Sequence, residues 1–339
     1  MNSTDAMTGK IRLTTSGLDV EGPGLQHDML RFVDCLMRGI GQVMFQNNSY
    51  AGLLFFIGIA MNSLLFAIAA MAGSAAGTLT AMLMGADRGQ IRSGMFGFNA
   101  ALVGIALMYF LEPTALNWVC LILASACSTI LMAAMMAAFG TWKLPVLTAP
   151  FIFTSLIFFL ATARFGRLEV TGNMPAAGLP ARAAVEGVVT APTIGEGLLN
   201  GIAEVFFQAN LASGLLFAVG LLIASRVAFV MALAGSLIGL VVAWWMGAAE
   251  PAIRAGAYGF NSVLTAIALA DVFLERRKTS FLFALLGAIV TPFVVAACAA
   301  AFEPLGMPAL TLPFVLTTWI FLLASQRFPK ITGLPPTEK

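Results

Sequence analysis

Charge is scarce in this chain. Of its 339 residues, Lys and Arg total 18 and Asp and Glu 16, so charged residues make up 10%, against about 25% in a soluble globular domain. A soluble protein of this length would have too little polar surface to stay dissolved. Histidine is scarcer still, with His27 the single one, in a polar N-terminal stretch. A Ser–His nucleophile or a His-bridged metal centre inside the apolar part is thereby excluded. Asp87 and Asp271 fall in expected loops, so no aspartate pair is placed within the membrane. The four cysteines, Cys35, Cys120, Cys127 and Cys298, have spacings that suit neither a metal site nor a disulfide framework. They read as small buried hydrophobes. A redox cofactor would want His or Cys ligands at fixed spacing. No cofactor and no enzymatic activity are expected. The net charge of +2 is dispersed, and no basic patch points to nucleic acid. The cluster Arg276-Arg277-Lys278 reads as the anchor of a cytoplasmic loop.

What the chain has in excess is apolar sequence, 60% of all residues. Ser49 to Ala86 is 38 residues without a charge. A membrane span needs about 20, so this stretch holds two spans and a tight connection. Further long apolar runs make the chain an all-α polytopic membrane protein, surrounded by membrane lipid. Residues 1–27 lack the positive start, short apolar core and cleavage site of a secretory signal. They are expected to form a disordered cytoplasmic tail, and residues 328–339 a C-terminal tail.

The chain repeats itself. GQVMFQNN at 41–48 returns as AEVFFQAN at 203–210, a shift of 162, and GFNAAL at 97–102 as GFNSVL at 259–264. LTAPF at 147–151 returns as LTLPF at 310–314, now at a shift of 163. Residues 28–163 and 191–327 are therefore read as two copies of one unit, joined by a Gly/Pro/Ala-rich linker, 164–190. Each half is expected to run as a mildly polar helix, two spans, a loop, a re-entrant helix opening at GFN, a span, and a short helix opening at TxPF. Pro150 suits the first turn of that last helix, and Thr148 is placed to cap it. Asn99 and Asn261 are read as caps of the re-entrant helices. Gly73-x-x-x-Gly77 and Gly235-x-x-x-Gly239 are read as helix-packing sites.

About five crossings per half is an odd number, which makes the two halves inverted repeats. With both termini cytoplasmic, the expected loops put Arg31, Arg38, Arg254 and the 276–278 cluster inside. They put Arg88, Arg92, Arg164, Arg167, Arg182 and Arg226 outside. The excess inside agrees with the positive-inside rule.

The repeat pairs polar and aromatic residues within the apolar segments: Gln42 with Glu204, Phe45 with Phe207, Phe98 with Phe260, Thr148 with Thr311. A carboxylate in a span is costly and functional by default. The plainer readings are an interhelical hydrogen bond for Gln42, a helix-end carboxylate for Glu204, helix caps for the threonines and packing for any single Phe. Their recurrence side by side points instead to a pore.

LPVLTAPF at 144–151, repeated as MPALTLPF at 307–314, resembles the LPxxTxPF signature of the urea transporter family. Together with QVMFQNN and the paired GFN segments, the resemblance covers nearly all of 28–327. It implies a homotrimer with one pore per subunit, and a narrow filter of three parts. Gln42, Phe45, Phe98 and Leu102 map to one end site. Glu204, Val205, Phe207, Phe260 and Leu264 map to the other, and Thr148 and Thr311 to the centre. The expected substrate is urea, and the short polar termini suit a bacterial inner membrane. Physical reasoning agrees. Urea is flat and uncharged, and leaving water costs it several kcal/mol unless its polar groups find substitutes. A wall of acceptor oxygens and a slot of Phe rings offer those substitutes to a planar amide. Other small neutral solutes (short-chain amides, ammonia) and ion-coupled transport remain as alternatives. No pair of pore histidines is available for ammonia. An intramembrane enzyme lacks its nucleophile–base pair.

Overall fold

A computed structural model describes residues 10–181 and 185–334. Among the described residues the regular structure is helical apart from one short hairpin and two isolated bridges. That hairpin corrects the expectation of a disordered tail over 1–27, of which residues 1–9 lie outside the described range. Strand β1 (Lys10–Leu13) pairs antiparallel with β2 (Leu18–Glu21). The pair is tied to helix α1 (Leu25–Gln42), whose buried Asp34 accepts the Leu18 N–H at 2.8 Å. Arg31 Nε donates to the Val20 carbonyl at 2.9 Å, and Ser49 N–H to Ser16 at 2.9 Å. These bonds to buried partners order a segment that composition alone marks as solvated.

The first half continues with α2 (Ser49–Asn62), α3 (Leu64–Leu83), α4 (Arg88–Arg92), α5 (Phe98–Phe110), α6 (Ala115–Phe139) and α7 (Ala149–Ala161). The second half runs α8 (Ala191–Ala203), α9 (Leu211–Ala224), α10 (Arg226–Trp245), α11 (Glu250–Arg254), α12 (Gly259–Ile267), α13 (Lys278–Phe302) and α14 (Leu312–Ser325). The same residue types start matching helices. Asn48 and Asn210 cap α2 and α9, and Ser63 and Ser225 cap α3 and α10. Among the described residues, α3, α6, α10 and α13 are each long and apolar enough to cross a bilayer; the run Glu250–Val272, from α11 through α12 and the turn after it, is a fifth, and α8 with α9, bent by 76°, makes a sixth. Helices α2, α5, α7 and α14 are apolar but shorter, as re-entrant or broken elements are.

The change of shift from 162 to 163 has a local cause. Helix α12 ends in a π-helical turn, Ala268–Val272, where α5 stays α-helical to Phe110. A single inserted residue is accommodated in this way. Beyond it every element obeys the longer shift. The isolated bridge Leu111–Val170 matches Leu274–Gly333. The repeat therefore continues into the linker and the C-terminal tail, each pinned beneath its half. Asp271, expected in a loop, lies in the π turn with its carboxylate accepting from Ser225 Oγ at 2.8 Å and paired with Arg276 at 2.6 Å.

Packing is close where glycines allow it. A Cβ on Gly77 would stand 2.7 Å from the Phe96 carbonyl, and one on Gly235 2.6 Å from that of Ser262. The Gly-x-x-x-Gly stripes thus let α3 and α10 touch the backbone of α5 and α12. Between the halves, contacts are reciprocal. Gly58 of α2 faces the ring of Phe217 in α9, and Gly220 of α9 faces Phe55 in α2, with the two rings 5.4 Å apart. Such exchange of equivalent contacts is what a two-fold relation produces.

The ends of the bundle sort the basic residues differently from the sequence expectation. Arg31, Arg38 and Arg92 surround one cleft of about 820 Å³, together with Asp87 and Ser93. Arg92 and its neighbour Arg88 therefore share an end with Arg31 and Arg38. Arg226 follows Ser225, which reaches Asp271 and through it Arg276. It belongs with the 276–278 cluster. Arg254 lies beyond the far end of α10, bonded to Glu196 and Glu250, at the end opposite to Arg276. The error came from loop placement, because α3 and α10 run the full depth after their single-residue breaks at Ser63 and Ser225.

Candidate functional site

Four helices start at the middle of the protein. Thr148 precedes α7 and Thr311 precedes α14, and neither side chain caps its own helix. Their hydroxyls meet each other at 2.7 Å, with the two residues only 3% and 4% exposed. The capping role expected of Thr148 is filled from the neighbouring helix. Asn99, in the first turn of α5, accepts the Phe151 N–H at 3.1 Å and donates to the Leu147 carbonyl at 3.2 Å. Asn261 in α12 does the same for Phe314 and Leu310, at 3.0 and 3.3 Å. The asparagines thus clamp the TxPF helices rather than cap their own.

The clamp holds strained backbone. Leu147 and Leu310 have φ of 53° and 52°, a left-handed conformation that costs a residue with a Cβ about 1–2 kcal/mol. Non-glycine residues held in this region recur at ligand sites. The N-termini of α5, α7, α12 and α14 converge here, so their positive ends are directed at the centre, an arrangement that disfavours cations.

A helix break lies on either side of the threonine pair. Helix α1 stops after Gln42, and Phe45 turns left-handed with φ of 63°, as does Phe207 with φ of 60° after α8. Gln46 N–H closes the first turn on Gly41 at 3.0 Å and Gln208 N–H the second on Ala203 at 3.2 Å. Gln42 and Glu204 consequently sit on the last turn, beside their phenylalanines. Gln42 Nε2 donates to the Ser93 carbonyl at 3.2 Å, which leaves its side-chain oxygen free to accept. Glu204 Oε2 is buried and has no hydrogen-bond partner. Buried polar atoms are almost always satisfied, so an orphaned carboxylate oxygen marks a place for a donor.

The rings at each end come from both halves. Phe45 packs edge-on against Phe273 and Phe314, both at 6.0 Å. Phe207 packs against Phe110 at 5.9 Å and Phe151 at 6.3 Å. Phe98 and Phe260 take no part in these ring contacts. Leu102, Leu264 and Val205 are buried in the core. The Gln42 end adjoins the cleft through Ser93, and the Glu204 end adjoins the linker, since Thr171 bonds the Tyr109 and Phe110 carbonyls at 2.8 and 2.9 Å.

Two residues at the Glu204 end escaped the sequence reading. Tyr109 lies 5.3 Å from the Phe207 ring, and Asn62 donates to Gln208 Oε1 at 2.8 Å. The paired positions in the other half are Asp271 at the shorter shift and Ala224. These mismatches were the available signal, because reading the repeat for agreement passes over the positions where it fails.

A family model described as "Urea transporter" matches residues 33–326. The chain belongs to the urea transporter family. Urea transporter 1 of Ovis aries is 30% identical over 315 residues, covering 90% of this chain and 80% of the relative. Urea transporter 1 of Rattus norvegicus is 30% identical over 311 residues, covering 91% and 80%. The family match takes in α1 from its middle to the last turn of α14, and so every paired residue named above. Its members are named as transporters, in keeping with the scarcity of catalytic side chains here.

Proposed function

We propose that the chain is a passive channel through which urea diffuses between the two halves. The observation that carries this reading is the buried, unpartnered Glu204 Oε2, facing a path whose other end offers the free oxygen of Gln42. Both accept the N–H groups of a flat amide, and the threonine pair at the centre can give and take one hydrogen bond each. Phe45 with Phe98, and Phe207 with Phe260, flank a planar solute at the two ends. Coupling to an ion gradient finds little support. Among the described residues, the carboxylates of Asp34 and Asp271 are already paired with Arg38 and Arg276, whereas Glu204 has no basic partner. Every side chain invoked comes from one copy, so a homotrimer would contain three independent pores.

We further infer that the halves are inverted, with both termini on the cytoplasmic face. The junction at Leu111–Val170 lies where α6 begins. Where α6 ends, Trp142 accepts from Gln326 at 3.2 Å, beside the equivalent junction at Leu274–Gly333. Equivalent junctions thus lie at opposite ends of a helix of 25 residues, about 37 Å long at 1.5 Å per residue. Corrected for the observed ends, the face away from the termini keeps only Arg164, Arg167 and Arg254 among the described basic residues. That strengthens the positive-inside argument.

Urea flux into liposomes, with and without proton or sodium gradients, tests the function. Flux should follow the urea gradient alone. Accumulation of urea against its gradient when an ion gradient is imposed would overturn the channel reading.

A further inference from the structure

Each half ends on a related short sequence, which the path does not use. Arg164-Phe165-Gly166-Arg167-Leu168 follows α7, and Arg327-Phe328-Pro329-Lys330-Ile331 follows α14. The two fold alike. Leu168 N–H donates to Phe165 at 3.0 Å, and Ile331 N–H to Phe328 at 2.9 Å. Phe165 and Phe328 are 62% and 51% exposed. Among the described residues, none of the four flanking basic side chains has an acidic partner.

In the second half this segment walls a groove of about 550 Å³ on α13. The floor is Leu282, Phe283 and Leu286, and the rim is Phe328 and Lys330. Thr279, Leu282, Phe283 and Leu286 form one helical stripe that starts in the first turn of α13. The groove therefore runs from the bilayer surface into the hydrocarbon. At its head Arg276 and Arg277 are neutralised by Asp271 and Glu275, both at 2.6 Å. Among the described residues, Lys330 on the rim and the nearby Lys278 and Arg327 have no acidic partner. Thr279 donates to the Lys330 carbonyl at 2.9 Å, which fixes the Lys330 backbone above the helix start.

We propose that this groove seats one anionic phospholipid, its phosphate at Lys330, Lys278 and Arg327 and one acyl chain along Leu282 and Leu286. The unpaired positive charge selects the headgroup, and the apolar floor gives an acyl chain contacts that a soluble anion does not make. The counterpart in the first half has Cys120 in place of Phe283 and Gly166 in place of Pro329, a lower wall and a weaker seat.

Native mass spectrometry of the purified full-length protein tests the proposal, using phosphatidylglycerol and phosphatidylcholine with identical chains. The wild type should retain phosphatidylglycerol preferentially. Lys330→Ala should weaken retention about fivefold, and Lys330→Ala with Lys278→Ala about 25-fold, from about 1 kcal/mol per basic residue at a membrane surface. Lys330→Arg should keep it, and Leu286→Trp, which fills the floor, should abolish it. Size-exclusion profile and Tm establish that each variant is folded. Equal retention of the two lipids by the wild type would overturn the proposal. So would retention indifferent to Lys330→Ala, or displacement of phosphatidylglycerol by inorganic phosphate. If Leu286→Trp alters the oligomer and leaves lipid retention unchanged, a second copy covers the groove and the lipid does not.

Discussion

Replacing Thr148 or Thr311 by Val keeps the shape of the side chain and removes a hydroxyl. In the structure each hydroxyl has the other as its partner, at 2.7 Å. A single replacement therefore leaves one buried hydroxyl orphaned, at a cost of about 1–3 kcal/mol. The double replacement leaves no orphan and forfeits only the net worth of one bond, about 0.5–1.5 kcal/mol. The double variant should be at least as stable as either single one. Flux should rank the other way. Each lost hydroxyl removes one hydrogen bond to a passing solute, so each single variant should slow urea about two- to tenfold, and the double variant more. Thermal unfolding in detergent and stopped-flow urea uptake by proteoliposomes read the two quantities separately. Additive losses of stability with undiminished flux would refute both the hydroxyl pair and its place on the path.

Other expectations follow from the ends of the path. Glu204→Gln keeps an acceptor oxygen and should retain urea binding better than Glu204→Leu, a comparison that radiolabelled urea equilibration can make; the reverse order would make the residue structural. Phe98→Ala and Phe260→Ala should weaken urea binding while admitting bulkier amides, and a folded variant with unaltered size selection would remove the aromatic slot from the mechanism. Cysteines introduced at Arg277 and Asn173, in a background with Cys127 replaced by Ser, should react with impermeant reagents from opposite faces. Labelling of both from one face would contradict the inverted arrangement.

Much of this was legible in the sequence because the chain states its plan twice. The TxPF helices, the GFN helices and the Gln42–Glu204 pairing all stood out as recurrences with a physical reason behind them. What was hidden depended on contacts between distant residues. Asn99 reads locally as a cap for its own helix, and only tertiary packing sends it to Phe151. Residues 10–21 read as solvated tail, because neither Asp34 nor Arg31 announces a hairpin as its partner. Arg92 and Arg254 went to the wrong ends because hydropathy locates a span better than it locates where a broken span turns.

The π turn at Ala268–Val272 also bears on how this chain came to have two unlike mouths. One added codon, after an ancestral gene had been duplicated, would have rotated everything downstream by about 100° had the helix not bulged to absorb it. The slack was taken up within five residues, so the helices after it kept their seats. Asp271, in the bulge, matches Tyr109 of the other half at the shorter shift. The two halves differ at their ends while their centres match. A symmetrised chain built from two copies of residues 28–163 would lose this bulge together with Glu204, and would present a Gln42-type entrance to both sides of the membrane.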